Sequence, residues 1–596
     1  MQGFRLCAVP NIGMTKRMES MRKWSMALTL GLTLAAGGAR AQGADSLQTD
    51  TMWVDWYVTP DPTGNVGLLP DFEEMTERLA AADVQVDYSE AADFDIGEPR
   101  FAWVNITGLA ALPTAKADVR QVWVEVNDGG GNRFRKRALL KAQGSWSLKF
   151  PKRNFSCQFC EGDWSGTATT GIRIGQWVRQ DEFHFKAFYT DFLRGIGEVG
   201  YKLFHAMVAD RPPYWERGGC GTPSRRARCL PDGFPCAVYL EGKFLGLYAW
   251  QLKKSRKNMN MERGNPLHIH LDGNLNNATL FRGSVQWSQF EVRHPKAADC
   301  TEQTRQAIVR LSQYHAELAS LEASGADSLT MRRALAERFD MASLLDYDVF
   351  YQFVCNCDGS LKNWQWFSYD GRRWLVAPYD LDQTFGLNLY GVVRPAVWQH
   401  SPLVEGPFYW VERYCQRELA LRYAQLRAAG VLAEDGILPL MRDWHERVPE
   451  EMRRQERVRW PDSPCFGEAI CNAGWRPSTD WERYTTTPDY SASASYGAGD
   501  LCKLEGRLWQ ATQPTRGVRP YQRNSQRDSL QRLERWVADR LAYLDERYHV
   551  RQLLQSVGPV AVRPDVPSTL YNLLGQPVVR PRRGIYVRGG RKVLIK

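Results

Sequence analysis

A chain of 596 residues with 43% apolar and 24% charged composition can bury more than one core, which excludes a disordered polymer. Its formal charge of +10 is concentrated in residues 1–41 and after Val560, so the body is close to neutral and an extended basic groove for nucleic acid is excluded. Beyond the N-terminal segment no apolar run reaches the roughly twenty residues of a membrane-spanning helix.

That N-terminal segment, MRKWSMALTLGLTLAAGGARAQ, joins a basic start, an apolar run from Met26 to Ala36 and the small-residue triplet Ala39-Arg40-Ala41. The pattern predicts a signal peptide over 1–41 and a secreted, periplasmic or cell-surface protein. Of 13 cysteines only Cys7 falls in the leader. In an oxidising compartment the others predict disulfide staples, with Cys157–Cys160, Cys220–Cys229 and Cys465–Cys471 as the pairs nearest in sequence. Their scatter argues against zinc.

After a lead segment (42–94), residues 95–272 read as strands. FAWVNITGL, QVWVEVND and RFRKRALLKAQGSWSLKF alternate apolar and polar residues around the turn DGGGN, which predicts an antiparallel sheet. PCAVYLEGKFLGLYAWQL predicts a second strand pair turning at Glu241-Gly242-Lys243. Between them, Phe192, Ile196, Val199, Leu203 and Met207 recur at three- and four-residue spacing, as on one helix face. Histidines 268 and 270 alternate on LHIHLDG and read as exposed strand residues rather than a metal pair.

The period changes over 273–460. TRQAIVRLSQYHAELASLEA and DSLTMRRALAERFDMASLLDYDVFYQFV are amphipathic helical stretches, and SLQRLERWVADRLAYLDERY in 525–559 is a last one. Residues 461–524, rich in Ser, Thr, Tyr, Trp and Gly, form an inserted module, and 560–596 comprise a proline-containing linker and a basic β segment. A β-rich part followed by a helical part predicts an α+β, bilobal plan.

The stretch CDGSLKNWQWFSYDGRRWLVAPYDLDQTFG carries the chemistry. Asp358 precedes Asn363 by five residues, a hairpin turning at Asp370-Gly371 follows, and Asp380 and Asp382 close the segment. Phosphoryl transfer needs those groups in combination: a carboxylate to take the hydroxyl proton, and amide and carboxylate oxygens for the metal ions on the phosphates. Two neighbouring carboxylates also repel one another unless a cation lies between them.

With its spacing, APYDLDQTFG resembles the spore-coat protein H (CotH) kinase-like family, and further pieces occur in the family's order: QGSWSLKFPKRNF, FYTDFLRG and AVYLEGKFLGLY. The resemblance implies an atypical protein-kinase-like fold with a β-rich first lobe and a mainly helical second lobe. It implies ATP with Mg or Mn, Lys152 or else Lys149 on the phosphates, Asp358 as catalytic base, and Asn363, Asp380 and Asp382 on metal, either aspartate being the principal ligand. Arg194 would order the two lobes. The chain departs from the family's pattern at Gln251, where glutamate is usual, at Tyr379, where tryptophan is usual, and after Asp191.

Within the insertion, ASYGAGDLCKLEGRLWQATQPTRGVRPY is similar to small chitin-binding-type modules, which implies Tyr496 and Trp509 as glycan-facing rings, with a small aromatic core as the other reading. The end, YNLLGQPV through RGIYVRGGRKVLIK, resembles Bacteroidetes-type C-terminal sorting segments read by an outer-membrane secretion machinery. Two functions follow. One is transfer of the γ-phosphoryl of ATP to a Ser/Thr hydroxyl of an exported protein; the other is a non-catalytic surface or envelope binding protein on the same frame, with glycan as a candidate ligand.

Overall fold

A computed structural model describes residues 70–556 except 80–84, 88–93, 163, 165, 167, 220–225, 274–279, 282–284, 286, 289, 357–358, 360–361, 388–402, 404, 461–462, 464, 466–468, 472–473, 479–482, 484–485, 505–506, 521 and 525–528, together with strands at 570–571, 577–578, 584–588 and 591–595. The expected signal peptide, most of the lead segment and Asp358 lie outside the described residues.

The strand-rich region closes on itself. Its strands are β1 (Ala102–Thr107), β2 (Arg120–Asn127), β3 (Asn132–Gln143), β4 (Asn154–Phe159), β5 (Glu182–Lys186), β6 (Gly233–Leu240) and β7 (Lys243–Leu252). They pair in the order β1-β6-β7-β5-β4-β3-β2 and back to β1, antiparallel throughout except for the parallel β1–β6 pair. Closure replaces the open antiparallel sheet expected from alternation alone, because β3 is long enough to pair with β2 along one edge and, from Ala138 to Gln143, with β4 along the other. Every second residue of β3 from Phe134 to Ala142 is buried. Inside the barrel the Trp250 ring meets Phe159, Phe183, Phe185 and Phe234 at centroid distances of 6.1, 5.6, 5.1 and 5.7 Å. Each such buried side chain contributes roughly 1.5–3 kcal/mol.

A second antiparallel sheet joins β8 (Ile269–Gly273), β9 (Phe290–His294), β10 (Trp364–Ser368) and β11 (Leu375–Pro378) in the order β9-β8-β10-β11. The β10–β11 turn forms where expected: the Asp370 carboxylate accepts from the amides of Arg372 and Arg373, and Gly371 takes the positive φ of 67°.

Among the described residues the helices of seven residues or more are α1 (Phe72–Arg78), α2 (Ile196–Val208), α3 (Glu302–Ala323), α4 (Ser328–Arg338), α5 (Met341–Val354), α6 (Phe408–Tyr414), α7 (Gln416–Ala428), α8 (Glu434–Arg447), α9 (Glu450–Arg459), α10 (Leu530–Arg547) and α11 (Val550–Ser556). Of the expected stripe, Ile196, Val199, Leu203 and Met207 are buried on α2, whereas Phe192 precedes the helix and is half-buried. DSLTMRRALAERFDMASLLDYDVFYQFV breaks into α4 and α5 because Asp340 caps a new helix, accepting from the Ser343 amide at 2.8 Å while Arg217 and Arg373 neutralise it. One continuous core joins α2, the second sheet and the helices of the second half.

The disulfide expectation is corrected for the described cysteines, none of which is bridged. Cys157 lies on β4 inside the barrel core, whereas Cys160, past the strand's end, lines a small cavity with Trp123 and Arg137; an i, i+3 pair on extended chain faces opposite ways. Cys229 is buried with its sulfur 3.7 Å from the Tyr369 hydroxyl, and Cys465 lies 3.1 Å from Ser463 Oγ. Cys220 and the side chain of Cys471 lie outside the described residues.

Within the inserted segment, β12 (Trp475–Pro477), β14 (Arg507–Ala511) and β13 (Leu501–Leu504) form an antiparallel sheet in that order. The C-terminal segment has four short strands in one sheet.

Candidate active site

The chain leaving β11 reads Tyr379-Asp380-Leu381-Asp382-Gln383-Thr384-Phe385-Gly386, and its middle leucine organises it. Leu381 is 1% exposed. It packs on α2 where two glycines leave room: a Cβ on Gly200 would lie 2.9 Å from Leu381 Cδ1, and one on Gly197 would lie 3.6 Å from its carbonyl carbon. With Leu381 turned into the core, Asp380 and Asp382 on either side stay half-exposed.

The backbone here is strained and well anchored. Asn363, Asp380 and Phe385 sit at φ of 62°, 52° and 54°, conformations that cost about 1–3 kcal/mol each outside glycine and collect at functional sites. The Asp380 amide donates to the Tyr201 hydroxyl at 2.9 Å and the Tyr379 amide donates to the Asn363 carbonyl at 2.9 Å. Thr384 Oγ1 donates to the Leu381 carbonyl at 2.8 Å, and the Phe385 amide donates to the Val354 carbonyl at the end of α5. These bonds bring the Asn363 and Asp380–Asp382 segments together.

Lys186, at the end of β5, supplies the facing cation, with its Nζ 3.3 Å from Asp380 Oδ1. Burial opposes its charge, but Asp380, Tyr379 and Asp382 outweigh it and hold the pKa above the ordinary lysine value. Lys186 is a functional candidate that sequence reasoning missed. The signal was present in EFHFK: Phe183 and Phe185 fill the barrel, so Glu182, His184 and Lys186 share the other face.

A second buried shell backs this one. Lys254 pairs with Asp272 and lies 3.3 Å from the centroid of the Tyr379 ring. Gln365 bridges Asp272, at 2.9 Å, and His270, at 2.6 Å. Burial works against the Asp272 carboxylate, yet Lys254 wins and lowers its pKa; burial lowers that of His270 to about 3. His268 accepts from the Glu262 amide at 2.9 Å. Both histidines are buried rather than exposed as the alternation suggests: the neighbouring-strand Gln365 covers His270, and His268, just before β8, meets the Tyr369 ring edge-on at 5.5 Å. On α2, Glu198 accepts from Gln251 at 2.5 Å, and burial lifts its pKa to about 7.

Lys152 occupies a different place from the one the resemblance implied. It is 1% exposed, and its ammonium group donates to Glu456 of α9 at 2.7 Å and to the carbonyls of Ala187 and Leu247, under the Tyr248 ring. Glu456 also holds Arg194 at 2.8 Å and the Leu247 amide at 2.7 Å. Burial lowers the Lys152 pKa to about 8 against the attraction of Glu456. Lys149 ends a short 3-10 turn and its side chain lies outside the described residues. Arg194 binds the carbonyls of Phe188, Tyr189 and Asp191, while Asp191 accepts from the amides of Leu193, Gly195 and Ile196 as α2 begins.

Tyr496 and Trp509 are corrected as glycan-facing rings. They are 7% and 4% exposed and build the module's core with Trp475, which meets Tyr496 edge-on at 5.0 Å. So small a module has few other apolar groups to bury.

Carboxylate and amide oxygens from Asp380, Asp382 and Asn363 suit a hard divalent cation such as Mg or Mn. Among the described residues no group of three or more His, Cys, Asp or Glu is placed to hold a metal; this set counts an amide, and Asp358 lies beyond it. Residues 140–412 match the family described as CotH kinase protein. That span runs from within β3 to within α6 and contains Lys152, Lys186, Asp358, Asn363, Asp380 and Asp382. No curated protein matches the chain.

Proposed function

We propose that the protein is a kinase-like phosphotransferase of the CotH type, moving the γ-phosphoryl of ATP to a hydroxyl, with the barrel and the helical half as its two lobes. The observation that carries this reading is the Lys186–Asp380 pair at the mouth of a strained Asp-Leu-Asp segment, inside the span that matches the family. Asp380, Asp382 and Asn363 would hold Mg or Mn, which when bound supplies charge neutralisation across the phosphates.

Lys186 takes the phosphate-side role in place of Lys152. A compact ammonium group suits phosphate oxygens, and its site is open on the Asp380 side. Asp358 accepts the acceptor's hydroxyl proton as the new O–P bond forms and the bond from the γ-phosphorus to the bridging oxygen breaks. The acceptor we favour is a Ser or Thr of an exported protein. The N-terminal leader and the C-terminal segment support export through an outer-membrane secretion machinery.

Thermal melting with and without ATP and Mg or Mn tests the reading. Ligand at about a hundred times its dissociation constant stabilises by roughly 2.7 kcal/mol, which a melt resolves. A metal-dependent rise is expected; no shift at millimolar ATP returns the frame to a binding role. In a transfer assay Asp358→Ala is expected to lower turnover about 10²–10⁴-fold while nucleotide affinity stays within a few-fold, because a proton acceptor acts mainly in the transition state.

A further inference from the structure

The two segments that carry the proposed base and metal ligands leave the core at neighbouring points, and a helix outside the family-matching span touches both. α5 ends at Val354, with Cys355 in the left-handed region at φ 51°, four residues before Asp358. Phe385 follows Asp382 by three residues, and its amide donates to the Val354 carbonyl at 2.8 Å. The other carbonyls at that helix end need partners of their own.

α10 provides them at a four-residue spacing. Arg540, 1% exposed, donates to the Gln352 carbonyl and, at 3.3 Å, to the Phe353 carbonyl, placing a cation on the negative end of the α5 dipole. One turn earlier, Trp536 packs edge-on against Phe353 at 6.2 Å and Phe385 at 5.6 Å. One turn earlier again, Arg532 donates to the Phe385 carbonyl at 2.5 Å. Positions i, i+4 and i+8 lie along one face of a helix. Other positions of α10 tie it to its neighbours: Glu534 to Arg442 at 2.7 Å, and Asp545 to Arg427 at 2.7 Å.

We propose that Arg532, Trp536 and Arg540 form a positioning stripe that ties the C-terminal end of α5, from which the chain runs on to Asp358, to Phe385 at the end of the Asp380–Asp382 segment. The assignment rests on the phosphotransferase reading for its functional meaning. These residues touch backbone and rings three to six positions along the chain from Asp358 or Asp382, so they act through them. Misplacement of about 1 Å far from the chemistry lowers rates by about 100-fold.

The test compares Arg532→Ala with Arg532→Lys, and with Glu534→Gln as a control on another side of the same helix. Arg532 is half-buried, so its truncation leaves the α10 core contacts in place. For Arg532→Ala we expect kcat to fall about 10–100-fold with the KM for ATP within about 2-fold, and Arg532→Lys to recover most of the loss. Hydrogen exchange should quicken at Phe385–Leu387 and at 353–356 together, while Glu534→Gln changes neither readout. Full kcat with unchanged exchange in Arg532→Ala would overturn the proposal, as would a loss that lysine does not restore. If the unmodified protein transfers no phosphoryl group, the phosphotransferase reading falls and exchange alone decides: coupled quickening in both segments supports the stripe, and quickening confined to α10 overturns it.

Discussion

Two lysine–carboxylate pairs stand beside the barrel, Lys152 with Glu456 and Lys186 with Asp380, and they differ in everything but chemistry. The first is sealed. Both side chains are essentially inaccessible, every charge has several partners, and Gly246 leaves the space: a Cβ there would lie 2.7 Å from Lys152 Cε and 2.9 Å from Glu456 Oε2. The second is open on one side, since the Asp380 side chain is 36% exposed, rests on left-handed backbone and has a second carboxylate next to it. A satisfied, buried ion pair fixes the fit between barrel and helix; a half-satisfied pair on strained backbone leaves charge for a ligand.

The largest expected effects separate the two. Glu456→Ala strands Lys152 and Arg194 in the interior and frees the Leu247 amide, so urea unfolding should show a loss of about 3–5 kcal/mol. Asp380→Asn should change stability by less than about 1 kcal/mol, because the pair is partly exposed and screened. Phosphoryl transfer by Asp380→Asn should nonetheless fall about 100-fold or more, the scale of a lost metal contact. Equal stability losses in the two variants would erase the distinction.

What was legible in the sequence follows from the range of the interactions. The turns at Glu241-Gly242 and Asp370-Gly371, the α2 stripe and the α10 period are local, and each forms where alternation or spacing put it. The Asp-Leu-Asp segment was legible because its residues are adjacent. Barrel closure was not, because the β3–β4 and parallel β1–β6 pairings depend on which strand edges meet. The burial of Lys152 and the place of Lys186 were not legible for the same reason: Glu456, which pairs with Lys152, lies about 300 positions later in the chain. Tyr496 and Trp509 left two readings open, glycan-facing rings or a small aromatic core, and their burial with Trp475 decides for the core.

A pH titration sharpens the contrast. Glu198 has a folded pKa of about 7, raised first by burial, against an unfolded value near 4.5. The folded state therefore binds the extra proton between those values, and stability falls as pH rises from about 4.5 to 7, then levels off. At about 1.4 kcal/mol per unit the full term is at most about 3–4 kcal/mol. Lys152, lowered to about 8 first by burial, gives the opposite slope in a separate window, with stability rising between about 8 and 10.5. Unfolding free energies of Glu198→Gln should lose the acid-side slope and keep the alkaline one. Retention of both slopes would mean that Glu198 is ionised in the fold at neutral pH.

The smallest effects come from glycines, one in each region. Gly246→Ala has a positive φ of 154° and meets Lys152, Glu456 and the Trp460 indole nitrogen, none of which has room to move, so it should cost about 1–3 kcal/mol. Gly200→Ala gains helix propensity of about 1 kcal/mol, and its new methyl meets Leu381 along its side chain, Cδ1 at 2.9 Å and Cβ at 3.5 Å, so Leu381 has to shift slightly. Its melting temperature should therefore move by only a few degrees in either direction. Leu381 cannot shift without carrying Asp380 and Asp382, so transfer activity should still fall several-fold. An unchanged rate in Gly200→Ala would show that the packing of Leu381 on α2 supports the fold there without setting the carboxylates.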